Sequence, residues 1–204
     1  MAGPAASSSR VPFVGLTGGL GAGKSTALQA LERLGAATLS TDAVVHELYG
    51  SDEVRDAVVE RWGPEVARDG VVDRSAVAAK AFASPDERKW LEELLWPRVG
   101  QRVWEWREEA SAREPSPAAV VVETPLLFEA GLEGIYDATV AVIAPEEVRA
   151  ARAAERGHEA VDERAARQLP QEEKASRATY TIENSGSVAD LEAKLSELLQ
   201  KLNR

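Results

Sequence analysis

Short apolar runs alternate with longer stretches in which apolar residues return every three or four positions, a pattern that predicts strands and helices in succession. Five runs read as strands: Val11 to Thr17, Ala36 to Ser40, Ala118 to Glu123, Asp137 to Ala144 and Thr179 to Glu183. The third contains Val120-Val121-Val122, the β-branched composition of a central parallel strand covered on both faces. Helical spacing follows the first run, with Ala27, Leu28, Leu31 and Leu34 on one face. It returns near the end of the chain in Leu191, Leu195, Leu198 and Leu202, behind Ser187 and Asp190 in the arrangement of a capping box. Strand and helix alternating in this way predict an α/β fold built on a doubly wound parallel sheet.

Between the second and third strands the pattern changes. From Val44 to Ala112 it is mostly helical, with polar turns at Gly63-Pro64 and Arg68-Asp69-Gly70. Ser84 reads as the cap of a helix with Pro85 in its first turn, continued by Leu91, Leu95, Val99, Val103 and Trp106. Pro97 must kink or break that helix. Trp90, Trp96, Trp104 and Trp106 all lie here; packing is the usual use of large apolar side chains on a helix, with an aromatic platform for a base as the alternative. The whole stretch reads as a helical insertion into the sheet.

The link from the first strand to its helix carries the chemistry. Gly18-Gly19-Leu20-Gly21-Ala22-Gly23-Lys24-Ser25-Thr26 fits G-x-x-x-x-G-K-[ST], and strand, glycine loop, helix is the setting that motif requires. Backbone N–H groups converge on a triphosphate only where the chain takes positive φ and carries little side-chain bulk. The helix start adds its unpaired N–H groups and positive dipole end. Lys24 reaches the β- and γ-phosphates, the Ser25 hydroxyl is a ligand for Mg²⁺, and Thr26 is a further donor.

Charge sharpens this picture. The 204-residue chain has a formal net charge of −10, which argues against a general nucleic-acid binder. The positive field for a polyanion must be local. No apolar run is long enough to span a membrane, and with no cysteine there is no thiolate chemistry or cysteine-held metal. A reducing cytoplasm fits. Residues 1–10, rich in Ala and Ser, read as a disordered tail.

Three further places invite chemistry. Asp42 follows the second strand, where the carboxyl ends of an α/β sheet line the ligand crevice; the competing reading makes Thr41 or Asp42 a helix cap. Glu123 ends the third strand, where a carboxylate holds the Mg²⁺ shell or positions substrate, or simply faces solvent. Arg149, Arg152, Arg156, Arg164, Arg167, Lys174 and Arg177 form the one basic-rich stretch. Such a run is usually a solvated helix face, but a phosphoryl-transfer enzyme needs an arginine-bearing cover and only this stretch offers one.

With these residues in view the chain resembles the dephospho-CoA kinase family from about Val11 to Leu199. The resemblance rests on Gly15-Leu16-Thr17-Gly18-Gly19 leading into the phosphate loop, on Asp42, on Pro125-Leu126-Leu127-Phe128-Glu129, and on Arg167-Gln168-Leu169-Pro170-Gln171-Glu172-Glu173-Lys174. It implies a five-stranded parallel P-loop kinase core (11–43, 113–147 and 178–204), a helical CoA-substrate domain (44–112) and a helical lid (148–177). It implies transfer of the ATP γ-phosphate, with Mg²⁺, to the ribose 3′-hydroxyl of dephospho-CoA by a cytoplasmic enzyme acting as a monomer, without nucleic acid or membrane. Asp42 looks like the acid that takes or orients the hydroxyl proton; Lys24, Arg152 and Arg156 would act on phosphate. Gly19, Leu20, Gly21, Ala22, Gly23, Lys24, Ser25 and Thr26 would hold ATP, with the turn at Asn184 and Gly186 on its adenine. Asp42, His46, Pro125, Leu126 and Phe128 would meet the acceptor, and Ser25 and Glu123 the metal. Trp96-Pro97 departs from the family's frequent His-Pro, and Glu123 from its frequent Asp. The rivals are another small-molecule P-loop kinase, of the nucleoside monophosphate or shikimate type, and a non-catalytic nucleotide-binding module. A guanine-specific switch would need Asn-Lys-x-Asp, which is absent.

Overall fold

In the computed structural model, which describes residues 10–154 and 168–204, the apolar runs become strands a residue or two shorter than the pattern suggests. In chain order the elements are β1 (Phe13–Gly18), α1 (Lys24–Arg33), β2 (Ala37–Ser40), α2 (Thr41–Leu48), α3 (Asp52–Trp62), β3 (Ala67–Arg68), β4 (Val71–Val72), α4 (Arg74–Ala81) and α5 (Pro85–Ser111). Then follow β5 (Val120–Glu123), β6 (Ala138–Ile143), α6 (Glu146–Ala154), α7 (Gln171–Arg177), β7 (Tyr180–Glu183) and α8 (Val188–Leu202). The expected tail lies outside the described residues apart from Arg10, as does the middle of the expected lid, with Arg156, Arg164 and Arg167.

The chain divides into two units, residues 1–39 with 107–204, and residues 40–106. The first holds the five-stranded sheet, ordered β2-β5-β1-β6-β7. β1 is central, parallel to β5 with Phe13 opposite Val120 and to β6 with Val14 opposite Ala138; β6 pairs in parallel with β7. The chain leaves β1 for the β2 edge and later crosses to β6 on the other side. The carboxyl end of β1 is therefore the topological switch point at which an α/β sheet receives its ligand.

Both faces of β1 are buried, as its unbroken apolar run requires. Val14 and Leu16 pack in one cluster with Ala27, Ala30 and Leu31 of α1 and with Leu191, Leu195, Leu198 and Leu199 of α8. Phe13, Gly15 and Thr17 alternate onto the opposite face. There the Phe13 and Tyr136 rings lie 4.8 Å apart, and the Thr17 hydroxyl donates to the Pro125 carbonyl at 3.4 Å. The capping box of α8 is present, with Ser187 Oγ accepting from the Asp190 N–H and the Asp190 carboxylate accepting from the Ser187 N–H.

The second unit has its own core of Val58, Trp62, Val66, Val72, Val77 and Ala81, with Trp90, Leu91 and Leu94 packed against it. Trp62 and Trp90 meet edge to face at 5.0 Å, and Glu87 accepts from the Trp62 indole at 2.6 Å and from Arg61 at 3.0 and 2.8 Å. Packing thus accounts for Trp90 and for the buried Trp106, whereas Trp96 and Trp104 remain about half exposed. Two details add to the expected pattern here. The Asp69-Gly70 turn is the tip of an antiparallel hairpin, β3 with β4, because both residues take the positive φ (51° and 77°) that closes a two-residue β-turn. Of the kink or break expected at Pro97, the break is excluded, because α5 runs through it over 27 residues.

Candidate functional site

Local backbone chemistry shapes the phosphate loop between β1 and α1. Gly21 and Gly23 take φ of 72° and 93°, and a side chain at either position meets a second obstacle. A Cβ on Gly21 would stand 2.5 Å from the Arg149 carbonyl oxygen, and one on Gly23 2.1 Å from Asn184 Nδ2. Gly23 is the N-cap of α1; it offers no side-chain cap, and no acid occupies the first turn, so nothing there opposes an anion at the helix's positive end. The Lys24 ammonium donates to the carbonyls of Gly18 and Gly19 at 3.0 and 3.1 Å. Ala22 is buried, Leu20 and Thr26 are half-buried, and Ser25 is exposed.

The basic groups converge on this loop from α6. Arg152 Nη1 donates to the Gly21 carbonyl at 3.5 Å and to the Asn184 carbonyl at 3.4 Å. Arg149, which sequence reasoning grouped with the lid without a role, pairs with Glu146 at 2.6 Å and lies against Gly19 and Gly21. Asn184 is buried: its N–H donates to Ile143 O at 2.8 Å and its carboxamide to Ala22 O at 2.9 Å. Gly186, two residues on, is exposed. Gln171 at the start of α7 brackets Ala144 twice, donating to its carbonyl at 3.0 Å and accepting from its N–H at 3.2 Å. Both roots of the segment expected to form a lid are thereby tied to the end of β6.

On the other side of the sheet, α7 clamps the segment after β5. Lys174 is fully buried and donates to the Pro125 carbonyl at 2.6 Å and to the Glu129 carboxylate at 2.8 Å, while Glu129 also accepts from the Leu169 N–H at 2.7 Å. Burial pushes the Lys174 ammonium below the ordinary lysine range, and the hydrogen bond to Glu129 opposes that shift. Arg177 lies 4.9 Å over the Phe128 ring, so Phe128 is buried in packing, while Pro125 and Leu126 stay half-exposed. Glu123, buried at the end of β5, sits opposite Leu16 of β1.

Within the helical unit, the N-cap of α2 falls on Ser40 rather than on Thr41 or Asp42, and Asp42 stands exposed in the first turn. His46 is four residues along, hence on the same helix face. Its Nδ1 lies 3.2 Å from Arg74 Nη1; a guanidinium only donates, so Nδ1 accepts and the ring proton sits on Nε2. Arg74 escaped the sequence reading because nothing in the spacing from 46 to 74 marks a contact.

The oxygen donors at hand, the Ser25 hydroxyl and the Glu123 carboxylate, are of the hard type that Mg²⁺ takes. Among the described residues no three His, Cys, Asp or Glu form a cage for a metal. No described helix is long and apolar enough to cross a membrane.

Comparison with known proteins gives a consistent result. The dephospho-CoA kinase (CoaE) family profile matches residues 12–190. The dephospho-CoA kinase of Deinococcus radiodurans is 40% identical over 203 residues, which span 98% of this chain and 97% of that protein. A crystal structure of TT1252 from Thermus thermophilus, 36% identical, superimposes with a TM-score of 0.77 over 95% of this chain and all of that one. The dephospho-CoA kinase of Campylobacter jejuni, 23% identical, shares the fold with a TM-score of 0.68 over 93% of this chain and 96% of its own.

Proposed function

The chain belongs to the dephospho-CoA kinase family of ATP-dependent phosphotransferases, and from that premise we propose how its residues divide the transfer of the ATP γ-phosphate to the ribose 3′-hydroxyl of dephospho-CoA. The observation that carries this reading is the loop from Gly18 to Thr26, with its positive-φ glycines, uncapped helix start and Arg152 at the Gly21 carbonyl. Gly19 to Gly23 hold the triphosphate through backbone N–H groups, and Lys24 exchanges its two carbonyl partners for phosphate oxygens. Arg152 places a second cation beside the loop, and Arg156, outside the described residues, takes a phosphate-binding role with it. Ser25 and Glu123 would hold Mg²⁺, which would supply neutralisation of phosphate charge.

Asp42 accepts a hydrogen bond from the acceptor hydroxyl and orients its oxygen for in-line attack, so that catalysis is mostly positioning plus charge stabilisation. His46 offers its Nε2–H, and Arg74 its remaining guanidinium donors, to the anionic part of the same substrate. Pro125 and Leu126 meet the same substrate, while Phe128 lies buried under Arg177. The turn at Asn184 to Gly186 faces adenine through its backbone. In this reading residues 44–112 are the CoA-substrate domain and 148–177 the lid. The same reading makes the enzyme a cytoplasmic monomer.

The test is ADP release by purified protein with ATP and a panel of acceptors, with and without Mg²⁺. Stimulation by dephospho-CoA that disappears with chelator supports the assignment; stimulation by shikimate or a nucleoside monophosphate instead contradicts it.

A further inference from the structure

The turn after β7 is where an adenine would be sought, yet the Asn184 side chain is spent elsewhere. It is 4% exposed, and its carboxamide donates to the Ala22 carbonyl at 2.9 Å, across 162 residues of sequence. The amide orientation is fixed by chemistry, because a carbonyl only accepts and the NH₂ must therefore face Ala22. Nδ2 also stands 2.1 Å from the place a Gly23 Cβ would take, so loop and carboxamide are in direct contact. The Asn184 backbone is itself anchored, its N–H to Ile143 O at 2.8 Å, and its carbonyl accepts from Arg152 at 3.4 Å.

We propose that Asn184 is a positioning residue for phosphoryl transfer: its side chain sets the phosphate loop, and its carbonyl holds Arg152. The peptide from Ala22 to Gly23 is a rigid plane with C=O and N–H pointing opposite ways. Fixing the Ala22 carbonyl therefore fixes the direction of the Gly23 N–H, one of the loop amides offered to phosphate. The strand end that carries the nucleobase turn, the phosphate loop and the root of the lid thus share one buried amide. The Asn184 side chain contributes to holding the phosphates and leaves the base to the backbone of the turn. A chain with Ala at 184 keeps the glycines and Lys24 but leaves the Ala22 carbonyl without this donor and the loop free to turn.

This inference rests on the kinase reading, and turnover of the wild-type enzyme with ATP and dephospho-CoA is the control that fails if that reading is wrong. The experiment compares wild type with Asn184→Ala and Asn184→Asp, the latter facing a carboxylate to a carbonyl. Dissociation constants of ADP and of adenosine are measured by displacement of a fluorescent ADP analogue, with circular dichroism checking the fold. We expect ADP binding to weaken about tenfold or more in both variants while adenosine binding stays within about twofold, a factor of ten being about 1.4 kcal/mol. Equal losses for ADP and adenosine overturn the proposal in favour of a base reader, and no loss for either reduces Asn184 to packing. Should neither variant fold, amide exchange in the wild type reads the same contact. Asn184 carboxamide hydrogens protected without ligand and unshifted by adenosine uphold it; rapid exchange, or a shift with adenosine alone, overturns it.

Discussion

The buried Lys174 ammonium lies 2.8 Å from the Glu129 carboxylate, joining α7 to the segment that follows β5. An ion pair this deep is costly to break, because the surviving charge is left out of water with few partners. Lys174→Met and Glu129→Met are each expected to lower unfolding free energy by about 3–5 kcal/mol. The double variant should be more stable than the sum of the two, since it leaves no orphan charge. Urea denaturation of the three proteins checks this, and strict additivity would count against the coupling.

Glu87 predicts a pH dependence in the helical unit. Hydrogen bonding to Arg61 first, and to Trp62 second, holds its carboxyl below the ordinary glutamate range. A depressed acid contributes stability that is fully present above the unfolded-state value and is lost as pH falls through the folded one. Thermal melts of wild type and Glu87→Gln should therefore differ at neutral pH and converge as the solution is acidified below about pH 4. A gap that stays constant down to strongly acid solution contradicts the assignment.

Gly21→Ala probes the loop itself. The substitution puts a side chain at φ 72° and within 2.5 Å of the Arg149 carbonyl, so loop or α6 must shift. Strain of about 1–3 kcal/mol at such a position, together with displaced amides, predicts a loss of at least about tenfold in kcat/KM for ATP. Unchanged ATP kinetics would show that the loop tolerates the shift.

His46 and Arg74 are expected to act on the acceptor alone. His46→Ala and Arg74→Ala should each raise KM for dephospho-CoA about tenfold, roughly the worth of one charge-assisted hydrogen bond, and leave KM for ATP nearly unchanged. An effect confined to ATP would move the pair to another role.

Much of the sheet and the phosphate loop is legible in the sequence because short unbroken apolar runs and glycine spacing are local signals. The capping box at Ser187 and Asp190 is local too, and it is present. What the spacing does not reveal is who holds whom. Ala22 and Asn184 lie 162 positions apart, His46 and Arg74 28 apart, and only the fold brings each pair together. The hairpin at Asp69-Gly70 escaped notice for a different reason: its strands are two residues long and carry too little pattern to read. Asp42 divided the sequence reading between cap and catalysis; the cap falling on Ser40 removes the first option without testing the second.

The most direct measurement is therefore kcat of Asp42→Asn at saturating ATP and dephospho-CoA, alongside its ADP affinity. The account predicts a fall of about 10²-fold or more in kcat, the usual worth of a positioned acid or base, with ADP bound as in wild type. Near-normal turnover would contradict it, leaving Asp42 as no more than an acid in the first turn of α2.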